Sequence, residues 1–349
     1  VPGAFLLGVE GPDLSPREAA FLRGADPWGF ILFARNVDHG PGGPARLRRL
    51  TGALRDAVGR DAPVLVDQEG GRVQRLRGPH WTAWPAPLRH AEAARDPVRA
   101  MWLRGRIIAA ELHAVGIDVN CVPCADIAGP ATHPFLLDRC LGRTAGAVAA
   151  RAGAMAEGSL AGGVLPVLKH MPGHGRGAAD SHEALPEVTA SLEVLESSDF
   201  LPFGALAHLP LGMTAHVTYA AVDPTRPGTI SAEVVRLLRR RVGFDGLLMT
   251  DDISMGALPG SLRFRTRAAL AAGCDAVLHC NGELGEMEMV AAEAGTMTPE
   301  AVARAEAALA ARRPPEPLDT AAARAELAEL CSTADDRSVP PRDRRSSRT

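Results

Sequence analysis

Long apolar runs are missing: nothing in these 349 residues approaches the ~18 consecutive apolar residues that a membrane-spanning helix needs. The N-terminal VPGAFLLGVEGPD lacks a basic segment, and its apolar stretch is too short for the core of a secretory signal. A cytoplasmic location is therefore expected. Aromatic residues make up only 4%, with a single tyrosine, which argues against a stacking platform for single-stranded nucleic acid. An excess of basic charge is missing too. Lys and Arg total 38 against 41 Asp and Glu, a formal charge of −3, so neither nucleic acid nor an anionic membrane is an expected partner. The six cysteines (Cys121, Cys124, Cys140, Cys274, Cys280 and Cys331) are spread through a large chain. They read as buried thiols of a reducing compartment, not as a disulfide framework. Cys121 and Cys124 have the spacing of a redox pair, but Pro123 lies between them on an expected strand, so they are read as core thiols.

What is present is an alternation of short apolar runs and amphipathic stretches, in a chain with 46% hydrophobic residues. Strands are expected at Trp28–Phe33, Pro63–Asp67, Ile117–Pro123, Val164–His170, Leu211–His216, Gly246–Asp251 and Asp275–Cys280. Continuous apolar character over such lengths fits parallel strands covered on both faces. Helix ends are readable as well. Asp96 with Pro97 opens a helix that Gly116 closes, Ser231 caps another, and Thr298 with Pro299 opens the last long one. Repeated β-then-α units call for a parallel sheet, open or closed. Asp67, Asp126, Lys169–His170, His216 and Asp251–Asp252 each fall at or just past the C-terminal end of a different strand. That convergence selects an α/β fold of the single-domain (β/α)8 TIM-barrel type over a doubly wound sheet, which has one switch point. Residues 1–313 are assigned to the barrel. Residues 314–349 form a C-terminal extension: an Ala-rich helical stretch, then STADDRSVPPRDRRSSRT, whose composition predicts disorder. No internal repeat is evident.

Three segments carry chemistry. Lys169 to His182, KHMPGHGRGAADSH, leaves a strand end and enters a Gly-rich loop unsuited to helix or strand. Two chemistries are open to it. His170, His174, His182 and Asp180 are metal-ligand types. Alternatively, Asp180 accepts from one ring nitrogen of His182 and leaves the other for proton transfer near neutral pH. The second segment, Gly246 to Met255, delivers Asp251 and Asp252 to a strand end. Neighbours on an extended chain point opposite ways, so one faces substrate and the other the surrounding structure. A carboxylate so placed suits attack on an anomeric carbon, as retaining glycoside hydrolysis requires. The third, VDQEGGRVQR at Val66–Arg75, joins strand-end Asp67 to Arg75 through a Gly-Gly turn, an arrangement suited to holding sugar hydroxyls.

In this order the three segments resemble glycoside hydrolase family 3, in particular its bacterial β-N-acetylhexosaminidase branch, which trims peptidoglycan fragments. VDQEGGRVQR stands unchanged, KHFPGHG appears as KHMPGHG followed by Asp180-Ser181-His182, and GFDGxxxSDDLSM appears as GFDGLLMTDDISM at Gly243–Met255. GFILFARN at Gly29–Asn36 and AGCDAVLHCN at Ala272–Asn281 extend the match to about residues 5–295. The resemblance implies a (β/α)8-like barrel, no metal or other cofactor, and net retention through a covalent glycosyl-aspartate. By motif position Asp251 is the nucleophile and His182 the acid/base residue, oriented by Asp180, while Asp67, Arg75, Lys169 and His170 bind sugar. Arg139 takes the place of the family's GDRSF arginine, although its flanks here read Leu137-Asp138 and Cys140-Leu141, and Met171 replaces a Phe.

The implied activity is removal of terminal non-reducing GlcNAc from GlcNAc–anhydro-MurNAc peptides, by a monomer whose partner is a small carbohydrate. A His acid/base adds no second anion at the reacting centre, so phosphate can replace water as the second nucleophile. A β-glucosidase or β-xylosidase of the same family would generally take its acid/base Glu from a second domain, for which this chain is short. A metal-dependent hydrolase on the same barrel is the rival of different mechanism. A sugar-sensing protein without activity would have no need of Asp251, His182 and Asp180 together. His113 and His208 are read as structural, and His216 as a group behind the site.

Overall fold

The computed structural model describes residues 1–181 and 183–332. Eight parallel strands close into a barrel: β1 (Gly3–Gly8), β2 (Pro27–Leu32), β3 (Val64–Val66), β4 (Val119–Asn120), β5 (Leu165–Met171), β6 (Leu211–Thr214), β7 (Leu247–Asp252) and β8 (Ala276–His279). Each pairs with its neighbours in chain order, and β8 returns to β1 through Phe5↔Val277 and Leu6↔Leu278. The expected (β/α)8 barrel is the observed fold, and all seven expected strands are found in it.

The eighth strand, β1, was not expected. Its sequence, GAFLLG, is too short and apolar to stand out from a signal core, yet every residue of it is buried. Its N-terminal end is tied to the last barrel loop, where Ala4 N–H donates to the Gly295 carbonyl and Met297 N–H to that of Pro2. The continuous apolar character of the strands follows from alternation. Phe5 and Leu7, Phe30 and Leu32, and Val64 and Val66 pack outward under the helices, while Leu6, Ile31 and Leu65 fill the barrel interior.

The helix starts are where the capping residues put them. Asp96 accepts from Arg99 N–H at the head of helix Pro97–His113, Ser231 from Val234 N–H, and Thr298 from Ala301 N–H. All six cysteines are unpaired and five of them are buried. Within the C-terminal extension, helix Thr320–Cys331 packs on Pro97–His113, burying Ala323 and Leu327 and pairing Glu326 with Arg99 at 2.7 Å. The tail from 333 to 349, expected to be disordered, lies outside the described residues. No helix among the described residues is long and apolar enough to cross a membrane.

Candidate active site

At the C-terminal mouth of the barrel a cavity of about 420 Å³ is lined by Asp67, Arg75, Arg139, Lys169, His170 and Asp251. Six of the eight residues singled out in the sequence thus meet in one place. Asp180 lies on the loop above, half-buried, and His182 lies outside the described residues.

The floor of the cavity is an ion cluster. Lys169 Nζ, at the end of β5, sits 2.9 Å from Asp67 Oδ1 and 2.6 Å from Glu69 Oε1. Arg75 Nη2 reaches Asp67 Oδ2 at 3.0 Å, and the Arg139 fork closes on Glu69 at 2.9 and 2.8 Å. The hairpin that returns Arg75 to Asp67 turns at Gly70 and Gly71, both at positive φ. A Cβ on Gly70 would lie 2.0 Å from a guanidinium nitrogen of Arg104, a buried cation that donates to the Glu69 and Pro85 carbonyls and so braces the turn from behind. Burial would push the Asp67 carboxyl up, but Lys169, Arg75 and Arg139 hold it well below the usual carboxylate range. Glu69 is likewise brought down to about 2, against its burial, by Arg139 and Lys169. Burial disfavours the charged Lys169 ammonium, and the two carboxylates overcome this and hold it charged.

His170 follows Lys169, across a cis peptide bond. Its Nδ1 lies 2.7 Å from Asp126 Oδ2 and its Nε2 3.2 Å from Arg139 Nη2. Asp126, completely buried, also accepts from the backbone N–H of His170 at 3.3 Å, from that of His174 at 2.6 Å and from the Cys124 thiol at 3.2 Å. Cys124, Asp126 and His170 place three ligand-type atoms within 4.8 Å of one another, already joined by these hydrogen bonds. Of the ligand types weighed for a metal in the Lys169–His182 segment, only His170 joins such a group among the described residues.

Asp251 and Asp252 diverge at the end of β7, as alternation requires. Asp252 is consumed by the turn, accepting from Ser254 N–H at 3.1 Å, Ser254 Oγ at 2.6 Å and Cys280 N–H at 3.3 Å. Asp251 faces the cavity. Its Oδ1 accepts from Asp252 N–H at 2.8 Å, whereas Oδ2 accepts no hydrogen bond among the described residues and points toward His170 Nε2 at 4.0 Å. Burial would raise its carboxyl, and any positive charge on His170 and His216, the Asp252 N–H and Lys169 outweigh this and hold it below the ordinary value. Behind it, His216 Nε2 contacts the Asp252 carbonyl at 2.9 Å and Nδ1 contacts Thr229 Oγ1 at 2.7 Å, so the ring props the strand end.

The loop after β5 is held by its backbone. Tyr219 Oη donates to the Gly173 carbonyl at 2.8 Å, Thr132 Oγ1 to Gly175 at 2.5 Å and Ala257 N–H to Ser181 at 3.2 Å. Gly175 passes so close to the β4–β5 connection that a Cβ there would meet the Ile127 carbonyl at 2.2 Å. The His174 ring is buried, with neither nitrogen hydrogen-bonded among the described residues; burial depresses it to about 4.

Glu69 is the residue that sequence reasoning passed over. It stands inside the Val66–Arg75 segment, but its partners are remote in sequence and no local pattern marks it. Arg139 reaches the cavity as expected, with its fork engaged by Glu69.

Comparison with known proteins identifies the family. A family model described as the glycosyl hydrolase family 3 N terminal domain matches residues 27–310. A β-hexosaminidase of Pseudomonas aeruginosa is 38% identical over 304 residues, covering 85% of this chain and 88% of that protein. A β-hexosaminidase of Alkalilimnicola ehrlichii is 40% identical over 288 residues, covering 80% and 81%. Among solved structures, NagZ from Neisseria gonorrhoeae in complex with N-trifluoroacetyl-D-glucosamine matches with a TM-score of 0.81 at 31% identity, covering 95% of this chain and 98% of that one.

Proposed function

This chain belongs to glycosyl hydrolase family 3, and from that premise we propose that it is a retaining exo-β-N-acetylglucosaminidase acting on peptidoglycan fragments. Asp251 Oδ2 attacks the anomeric carbon of a terminal GlcNAc as His182, oriented by Asp180, protonates the departing glycosidic oxygen. The glycosyl-aspartate is then opened by water, whose proton returns to His182. Asp67, Arg75, Lys169 and His170 hold the sugar hydroxyls, with Arg139 bracing Glu69 and His170. The natural bond is GlcNAc linked to anhydro-MurNAc in muropeptides, and the protein works as a cytoplasmic monomer.

The observation that carries the reading is Asp251 itself: an ionised carboxylate with one oxygen free, in a cavity whose floor is already dense with groups that bind hydroxyls. The binding of N-trifluoroacetyl-D-glucosamine by the gonococcal NagZ favours GlcNAc as the glycone. Release of 4-nitrophenol from its β-GlcNAc and β-glucose derivatives tests the proposal. The β-GlcNAc compound should be preferred, and Asp251→Asn and His182→Ala should each lose roughly 10²–10⁴-fold in kcat. Preference for the glucoside, or full activity in either variant, would sink it. Running the assay with and without phosphate, with product identification, separates hydrolysis from phosphorolysis.

A further inference from the structure

The hydrogen bonds around His170 fix which of its nitrogens carries a proton. Asp126 Oδ2, 2.7 Å from Nδ1, is an acceptor only, so the proton belongs on Nδ1. Arg139 Nη2, 3.2 Å from Nε2, is a donor only, so Nε2 presents its lone pair. Both partners are buried and pinned in turn, Arg139 by Glu69 and Asp126 by the His174 N–H, so neither can swing aside. With its lone pair taken by the Arg139 N–H, Nε2 carries no proton toward Asp251 Oδ2, 4.0 Å away.

We infer that Asp126 is a positioning residue for the nucleophile: it holds His170 in the Nδ1–H tautomer, which cannot donate to Asp251 and so leaves Oδ2 free to attack. The opposite tautomer would turn an N–H toward Oδ2. That N–H dipole, aimed at the carboxylate across 4.0 Å, would stabilise the anion in the resting enzyme, and the stabilisation would have to be given up as charge moves into the glycosyl bond. Because the second Asp126 oxygen holds the His174 N–H, one buried carboxylate sets both the state of His170 and the start of the loop that carries Asp180. The inference rests on Asp251 being the nucleophile.

Asp126→Asn is the test. Its amide oxygen can keep the His174 N–H, while its amide N–H donates to Nδ1 and drives the His170 proton to Nε2 at the expense of the Arg139 hydrogen bond. Long-range ¹⁵N NMR of histidine-labelled protein, with His170 assigned by its loss in His170→Gln, reads the tautomer directly. Wild type should show a protonated Nδ1 and a bare Nε2 at neutral pH, and the variant the reverse. Single-turnover glycosylation should slow roughly 10- to 100-fold in Asp126→Asn, with KM moving less than about threefold. A wild-type ring protonated at Nε2 overturns the inference, whether or not the variant folds. So does a slowed variant whose tautomer is unchanged, or a reversed tautomer with full activity. If Asp251→Asn kept full activity, the nucleophile assignment would fail instead, and the spectra would still report on Asp126 and His170.

Discussion

The floor of the cavity and the loop above it are held by different forces. On the floor, Asp67, Glu69, Arg75, Arg139 and Lys169 secure one another through side-chain charge, and each is needed to offset the burial of its neighbours. The loop from Pro172 to Pro186 is secured mainly through its own carbonyls, which accept from Tyr219, Thr132, Ala257 and Thr218. Among its described side chains, Arg176 adds a 2.7 Å bridge to Asp199 and His174 is buried, but no such ion cluster forms. The contrast teaches that binding and proton transfer are carried by parts of one site with separable stability costs. Floor substitutions should cost folding and activity together, whereas substitution of a half-buried loop residue should cost mainly activity.

The largest expected effect lies on the loop. Asp180→Asn should lower kcat by roughly 10²–10⁴-fold, the usual worth of a positioned general acid/base, with a smaller fall in melting temperature than a floor substitution causes, because Asp180 is only half-buried. A melting temperature that falls as far as in the floor variant would break the contrast. On the floor, Glu69→Gln removes one of two carboxylates that face three cations. It should destabilise the protein by roughly 3–5 kcal/mol, seen as a drop of about 6–15 °C in melting temperature, together with weaker substrate binding. Unchanged stability would show that the cluster is open enough to water for its charges to be screened.

The same contrast explains what could be read from the sequence. Strand-end polar residues pointed to the barrel mouth, and alternation along β7 foretold that Asp251 and Asp252 would part. Which of them faces the cavity came from the family resemblance, because alternation does not distinguish inward from outward. Glu69 escaped notice because its partners, Arg139 and Lys169, are brought to it only by closure of the barrel. Asp126 was visible as a strand-end acid, but its grip on His170 Nδ1 was not. β1 was missed because an apolar N-terminus was weighed against a targeting signal and not against the need for an eighth strand. One signal was present and uncounted: Lys169 is the only lysine among 38 basic residues. A compact ammonium fits between Asp67 and Glu69, where a planar guanidinium would not.

The smallest effect is one of pH, and it separates loop from floor by where the stability is lost. His174, on the loop, is depressed to about 4 by burial, so an unfolded chain takes up its proton near pH 6.5 while the folded chain does not. Stability should therefore decline as pH falls from about 6.5 toward 4, by up to about 3 kcal/mol from this residue. Asp67, Glu69 and Asp126 are depressed carboxylates, whose contribution is complete above about pH 4.5 and is lost only below it. Urea midpoints measured from pH 7 to 3 should show two stages. His174→Gln should flatten the first and leave the second in place. A wild-type profile that is level down to pH 4.5 would mean that the His174 ring is reached by water in the folded protein, and the loop would then be less tightly seated over Asp126 than its backbone hydrogen bonds indicate.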